Sequence, residues 1–366
     1  MKKRRYFIRN IEAGTYLEIF LVSAVTSMLA IRAYLAITGY PQLGNDDLHI
    51  AHMLWGGVFM LVGIISLSMF LGKKAQYVGV ICGGIGFGTF IDELGKFITQ
   101  DNDYFYQPAV AIIYVTFMVI FLIVRNIQTR VRYSRLEYLM NAIHELEEVA
   151  MSDLDKEEKE RVAGYLAKCD QADPLVLELK NALGKIDPVP VPEPGHYVRL
   201  RTRLAFFYRN IAVTRWFRWV IIAFFSAQVA FNLFYIFVLV LLKMLNWDVL
   251  NVDIIASLAG ELETITFSDY AYLTSSLFAA GLALWGLMLF TKSRLSSYKM
   301  FERSVMVSIF LAQVFIFFQA QFWGLAGLII YLLVYISLRF MIDREARMLL
   351  GNNLILVGEN AEDAGS

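Results

Sequence analysis

The sequence predicts an all-α polytopic membrane protein. Eight transmembrane helices form two tandem four-helix repeats, with a helical cytoplasmic insert between them. Three observations carry this. The 366 residues are 58% apolar and 18% charged, against about a quarter charged in a soluble domain. Apolar segments of spanning length recur at 15–38, 49–71, 77–99, 107–125, 216–243, 271–291, 304–320 and 322–341, and about 20 such residues cross a bilayer as a helix. Finally, motifs from the first half return in the second: FIRNI (7–11) as FYRNI (207–211), MFLGKKA (69–75) as LFTKSRL (289–295), and VAIIYVTF (110–117) as GLIIYLLV (327–334).

The segments are helices because lipid forces each backbone amide to pair within its own segment. Charge assigns their direction. Lys and Arg collect in MKKRR, GKK (72–74), Arg125 to Arg215, TKSRLSSYK (291–299) and DREAR (343–347), while YPQLGNDD, TQDNDYFYQ, NWDVLNVD and QAQFW are acidic or neutral. By the positive-inside rule both termini lie in the cytoplasm of a bacterial inner membrane. The N-terminus runs into a long span without a small-residue cleavage site, and reads as an uncleaved start. The domains follow: 1–126 and 208–345 are the membrane repeats, 127–207 the insert with its Pro-rich connector, and 346–366 a flexible acidic tail.

In the insert, Leu136, Leu139, Met140, Ile143 and Leu146 recur at helical spacing and predict one buried stripe on a helix near 130–150. Ser152 with Asp155 resembles a capping box opening a second helix, and a third covers about 175–185. The run DPVPVPEPG is a stiff connector. The insert at 130–186 offers a surface for a cytoplasmic protein partner. Membrane lipids are the other expected partner, and no nucleic acid is expected. His144, in HELEE, lacks the second histidine of a metalloprotease motif and reads as a solvated helix face. Cys82 and Cys169 read as isolated thiols.

The third span raises the functional question. GTFIDELGKFITQDND (88–103) carries Asp92, Glu93 and Lys96 within an apolar segment, where each charge costs a few kcal/mol or more. Aligning the repeats places Ala312 opposite Asp92, Gln313 opposite Glu93 and Ile316 opposite Lys96. Asp269 and Tyr272 stand opposite His49 and His52. The second copy keeps the scaffold without these charges, which points to function in the first. Spans two and three are antiparallel neighbours joined by a short turn, so His52 falls within roughly one helical turn of the depth of Glu93 and Lys96. His49 and His52 share a face. Asp92 and Glu93 point about 100° apart, and Lys96 is spaced to neutralise either. The glycines of CGGIGFG (82–88) allow close helix approach.

Three readings compete for this cluster. One is a structural ion-pair network. A second is an acid–base or metal site: His49, His52 and Glu93 would hold a divalent ion such as zinc, with Asp92, Glu93 and Lys96 as catalytic groups. The third is a polar pocket for a headgroup or a transport gate, with Asp47, Asp101 and Asp103 as further ligand-binding residues. The function expected is binding of a metal ion or polar headgroup in cell-envelope or lipid chemistry. A small-solute transporter and a non-catalytic scaffold are the rivals. The apolar lower halves of spans two and three argue against a conduit.

DLHIAH followed by FIDELGKF resembles the pattern of VanZ-like membrane proteins, and ID-E-x-GKFI-x-x-DNDYF-x-x-P is similar to a group of uncharacterised bacterial multi-pass proteins. The resemblance covers about residues 45–110. Its matching positions are Asp47, His52, Asp92, Glu93 and Asp101, and it implies an envelope role.

Overall fold

The computed structural model describes residues 7–39, 52–99, 106–130, 133–150, 154–189, 199, 202–203, 206, 214–244 and 266–363. Among these the chain is helical throughout, apart from turns and an isolated bridge between Asp155 and Val189. Five segments are long and apolar enough to cross a membrane: Ala13–Thr38, His52–Met69, Pro108–Gln128, Phe267–Leu289 and the 55-residue run Arg294–Met348. The chain divides into two compact units, residues 1–106 with 115–194, and 107–114 with 195–366.

The first unit is built on α1 (Ala13–Thr38), α2 (His52–Met69) and α3 (Lys73–Asp92). Gly39, at φ 73°, ends α1 in the left-handed conformation and returns its N–H to the Leu35 carbonyl. α3 is central and packs on both neighbours through glycines. A Cβ on Gly84 would lie 2.5 Å from the Phe20 carbonyl oxygen of α1, and one on Gly86 2.5 Å from that of Gly56 on α2. Gly88 is tighter still, with the Ala24 carbonyl and the Ser27 hydroxyl in the space of its missing side chain. The expected role of these glycines therefore holds. Ser27 Oγ also donates across the α1–α3 seam to the Ile85 carbonyl, at 3.0 Å.

A short α4 (Leu94–Ile98) follows, then α5 (Gln107–Arg130), of which residues 115–130 belong to this unit. The insert contributes α6 (Arg135–Glu145), α7 (Glu147–Ala150), α8 (Lys156–Ala167) and α9 (Pro174–Gly184). Ala142, Leu154, Val162, Leu166, Cys169, Val176 and Leu183 form its core.

Two details of the insert differ from the sequence expectation. The buried face of α6 is only in part the apolar stripe: Leu139 and Leu146 pack on the insert core, but Leu136, Met140 and Ile143 are exposed, while Glu137, Asn141 and Glu145 are buried. Charge pairing is the reason. Arg9 makes a two-point ion pair with Glu137, at 2.6 and 3.0 Å. Asn141 accepts from the Ile11 amide and donates to the Arg9 carbonyl. Lys73 donates to Glu145 at 2.7 Å and to Glu158 at 2.8 Å. His144 likewise is no bare solvated residue, since it links Gln76 to Glu147. The second difference is the cap of α8. Asp155 is the N-cap and closes a reciprocal box with Glu158, whereas Ser152 lies outside the described residues. The insert is thus bonded to the chain just ahead of α1 and to the first residues of α3.

The second unit contains α10 (Arg215–Met244), α11 (Phe267–Leu289), α12 (Arg294–Val307), a π-helical turn (Ser308–Ala312), α13 (Gln313–Ala320), a 3₁₀ turn (Gln321–Trp323) and α14 (Gly324–Asp363). Its core joins Ile221, Phe225, Ala283, Phe301, Val305 and Leu338, with Phe225 and Phe301 stacked at 4.3 Å between ring centroids. α14 runs to Asp363, so the stretch expected to be a flexible tail is helical to that point. DREARMLLGNNLILV is rich in good helix formers and holds no proline to stop it.

Candidate functional site

α3 ends at Asp92. Glu93 leaves the helix at φ −88°, ψ 11°, and α4 restarts at Leu94. This break turns two consecutive carboxylates into the seam between α1 and α2, where both are wholly buried. Each finds a dedicated cation. Arg32 of α1 places Nε 2.5 Å from Asp92 Oδ1 and donates from Nη2 to the Asp92 backbone carbonyl at 3.0 Å. That carbonyl is one of those the end of α3 leaves without an intrahelical partner. Lys96 donates to Glu93 Oε1 at 3.0 Å, and the Met53 amide, at the start of α2, donates to Oε2 at 3.1 Å.

His52 joins the two halves. Its Nε2 meets Asp92 Oδ2 at 3.1 Å, and its Nδ1 lies 3.1 Å from Glu93 Oε1. A neutral imidazole has one donor and one acceptor nitrogen. With a carboxylate oxygen at each nitrogen, the bridge needs either the imidazolium or one proton kept on a carboxyl group. The five side chains therefore form one connected ion-pair and hydrogen-bond network.

The accessible face of this cluster differs from its interior. Asp92 and Glu93 are at 0% exposure, while the side chains of Arg32, His52 and Lys96 are 13%, 21% and 23% exposed. The carboxylates are enclosed, and three basic side chains, each partly exposed, surround them. Buried ions of this kind persist only when paired and hydrogen-bonded.

The structure brings together His52, Asp92, Glu93 and Lys96. Asp47, His49, Asp101 and Asp103 lie outside the described residues. Among the described residues no three His, Cys, Asp or Glu side chains are placed to hold a metal ion. Both ring nitrogens of His52 already face carboxylates, and both oxygens of Glu93 already accept hydrogen bonds. Sequence reasoning missed Arg32. The signal was there: it is a lone cation in an apolar span, six residues before Thr38 at the end of α1, and so near the depth of Asp92 at the end of its parallel neighbour α3.

The cluster stands at the end of α3 remote from the insert. α3 has 20 residues, about 30 Å at 1.5 Å per residue, which matches the hydrocarbon thickness of a bilayer. The insert has charge chemistry of its own. The Arg9 guanidinium, hydrogen-bonded to Glu137, holds that carboxyl well below the usual carboxylate range.

The second unit is polar where the repeat alignment pairs it with the site. Gln313, opposite Glu93, is also at 0% exposure and donates to the Gly324 carbonyl at 2.5 Å. It directly follows the π-helical turn, as Glu93 directly follows the end of α3. Ser276 donates to Asn232 at 2.5 Å, and Ser308 donates to the Ser304 carbonyl at 3.2 Å. This interior is neutral, and the side-chain oxygens of Gln228 and Gln313 are buried in it without a hydrogen-bond partner among the described residues. Comparison of the chain with protein-family models, with curated proteins and with solved structures finds no match.

Proposed function

We propose that the chain is a bacterial inner-membrane protein of eight helices in two tandem four-helix repeats, with both termini cytoplasmic. In this reading the first repeat binds the anionic headgroup of an envelope lipid at its outer face. α3, α10 and the two halves of the 294–348 run supply the spans beyond the single-helix candidates. α3 scores as weakly apolar because glycine, which it needs for packing, carries no apolar side chain. Kinship with VanZ-like proteins and a place in cell-envelope chemistry belong to the same proposal.

One observation carries the choice of an anionic headgroup over a metal ion: the carboxylates are buried and the accessible groups are Arg32, His52 and Lys96. A cation would have to displace donors from Asp92 or Glu93, whereas an anion meets charges already oriented. Asp92 and Glu93 are then positioning residues, and Lys96 touches the ligand.

Mass spectrometry of the intact protein released from native membranes tests this. Lys96→Met is expected to carry one anionic lipid per chain fewer than the wild type, and Lys96→Arg to restore it. Elemental analysis of the same sample is expected to show no stoichiometric metal. One zinc per chain, or zwitterionic lipid retained equally well, contradicts the reading.

A further inference from the structure

The second unit carries another feature, at the opposite end of its helices from the outer loops. A cavity of about 390 Å³ runs along α11 and is lined by Gly281, Leu284, Trp285, Met288, Leu289 and Lys292. The first five form one helical stripe, at i, i+3, i+4, i+7 and i+8, and Lys292 follows in the turn after α11. Gly281 opens the stripe as a notch: a side chain placed there would meet no atom within 4 Å. From Gly281 to Leu289, the last residue of α11, the stripe rises about 12 Å. Leu284, Trp285 and Met288 are 41%, 57% and 65% exposed, on a helix apolar and long enough to cross a membrane.

The groove is apolar along its length and positive at one end. Lys292 and Arg294 are both exposed there, in the basic stretch TKSRLSSYK. A solvent-facing groove of this composition would be an unexplained apolar patch. On a membrane-crossing helix the medium that meets it is acyl chain, and the medium at its mouth is headgroup.

We propose that this groove is a binding site for one anionic phospholipid of the leaflet that faces the basic loops. An acyl chain lies in the notch over Gly281 and against Trp285, and the phosphate is held by Lys292 with Arg294. Two features select this occupant. The apolar stripe of α11 runs to the turn that carries Lys292 and to Arg294 at the start of α12, so apolar surface leads to cationic surface as the chain of a lipid leads to its headgroup. Basic residues at the membrane surface also favour anionic over zwitterionic lipid. The site is independent of the Arg32–Asp92 cluster, which lies in the other unit.

Trp285 is a built-in reporter. The full chain is reconstituted in vesicles containing lipids brominated on the acyl chain, and Trp285 emission is taken as wild type minus Trp285→Phe. Brominated phosphatidylglycerol is expected to half-quench Trp285 at a several-fold lower mole fraction than brominated phosphatidylcholine. Lys292→Ala should narrow that difference. Gly281→Leu fills the notch without a packing clash and should protect Trp285 from both lipids, while Lys96→Met in the other unit should change nothing. Equal quenching by both lipids, or unchanged quenching in Gly281→Leu, overturns the proposal.

Discussion

Arg32 holds Asp92 at two points, its Nε on the carboxylate and its Nη2 on the backbone carbonyl at 3.0 Å. The first contact neutralises a buried charge, and the second caps the carbonyl released where α3 breaks. Local backbone geometry and long-range electrostatics are thus tied to one side chain sixty positions away.

Breaking that tie is expected to cost more than removing it whole. Arg32→Met leaves Asp92 buried with only His52 facing it, and breaking a buried pair typically costs about 3–5 kcal/mol. Arg32→Met with Asp92→Asn removes both charges and should recover much of the loss. Thermal unfolding of the four proteins of this cycle in one detergent measures the coupling. A double variant no better than Arg32→Met would show that the cap on the carbonyl, not the ion pair, dominates.

Glycines in the α1–α2–α3 packing should differ sharply in tolerance. Gly88→Ala forces a Cβ into the Ala24 carbonyl. Overpacking of this kind costs about 1–3 kcal/mol and sometimes more. Gly57 has no atom within 4 Å of its would-be Cβ, so Gly57→Ala is expected to be neutral or to stabilise by up to about 1 kcal/mol. Melting temperatures of the two single variants check the contrast.

The grip of the insert on the N-terminal segment should loosen in acid. Glu137 has its folded pKa depressed by Arg9. Its stabilisation is therefore present above the ordinary glutamate value near 4.3, and is lost as pH falls from there through the lower folded value. Amide exchange at Ile11, whose N–H is held by Asn141, is expected to be protected at pH 6 and to quicken below about pH 4. Glu137→Gln should show fast exchange at both. A wild-type profile flat from pH 6 to pH 3 would sink this assignment.

Gln321 adopts φ 49°, ψ −131° between α13 and the 3₁₀ turn. A non-glycine residue held in a sparsely populated region costs of order 1–3 kcal/mol, and glycine returns part of this in unfolded-chain entropy. Gln321→Gly is expected to raise the melting temperature slightly.

How much of this was legible beforehand follows from which forces act locally. Membrane helices announce themselves by composition, and the adjacency of His52 to Glu93 follows from a short turn and a known rise per residue. The glycines of α3 were readable because close packing in lipid has few other solutions. Arg32 was overlooked because its meaning depends on a partner sixty positions on. Part of the face of α6 was misassigned for a related reason. Leu136, Met140 and Ile143 obey helical periodicity, yet Arg9 and Lys73 reach over from other segments and bury Glu137 and Glu145 instead. Periodicity reports what a helix could bury. Long-range charge pairs decided what this one does bury.

The most direct test of the account is a lipid titration of the first unit's site, read as stability. A ligand at one hundred times its Kd adds about 2.7 kcal/mol to the folded state. Phosphatidylglycerol added to the protein in neutral detergent is predicted to raise the melting temperature of the wild type most, and those of Gly281→Leu and Lys96→Met, each left with one lipid site, by less. Phosphatidylcholine should do little to any of them. If Lys96→Met responds to phosphatidylglycerol as fully as the wild type, the cluster of Arg32, His52, Asp92, Glu93 and Lys96 holds the helices together and binds no headgroup.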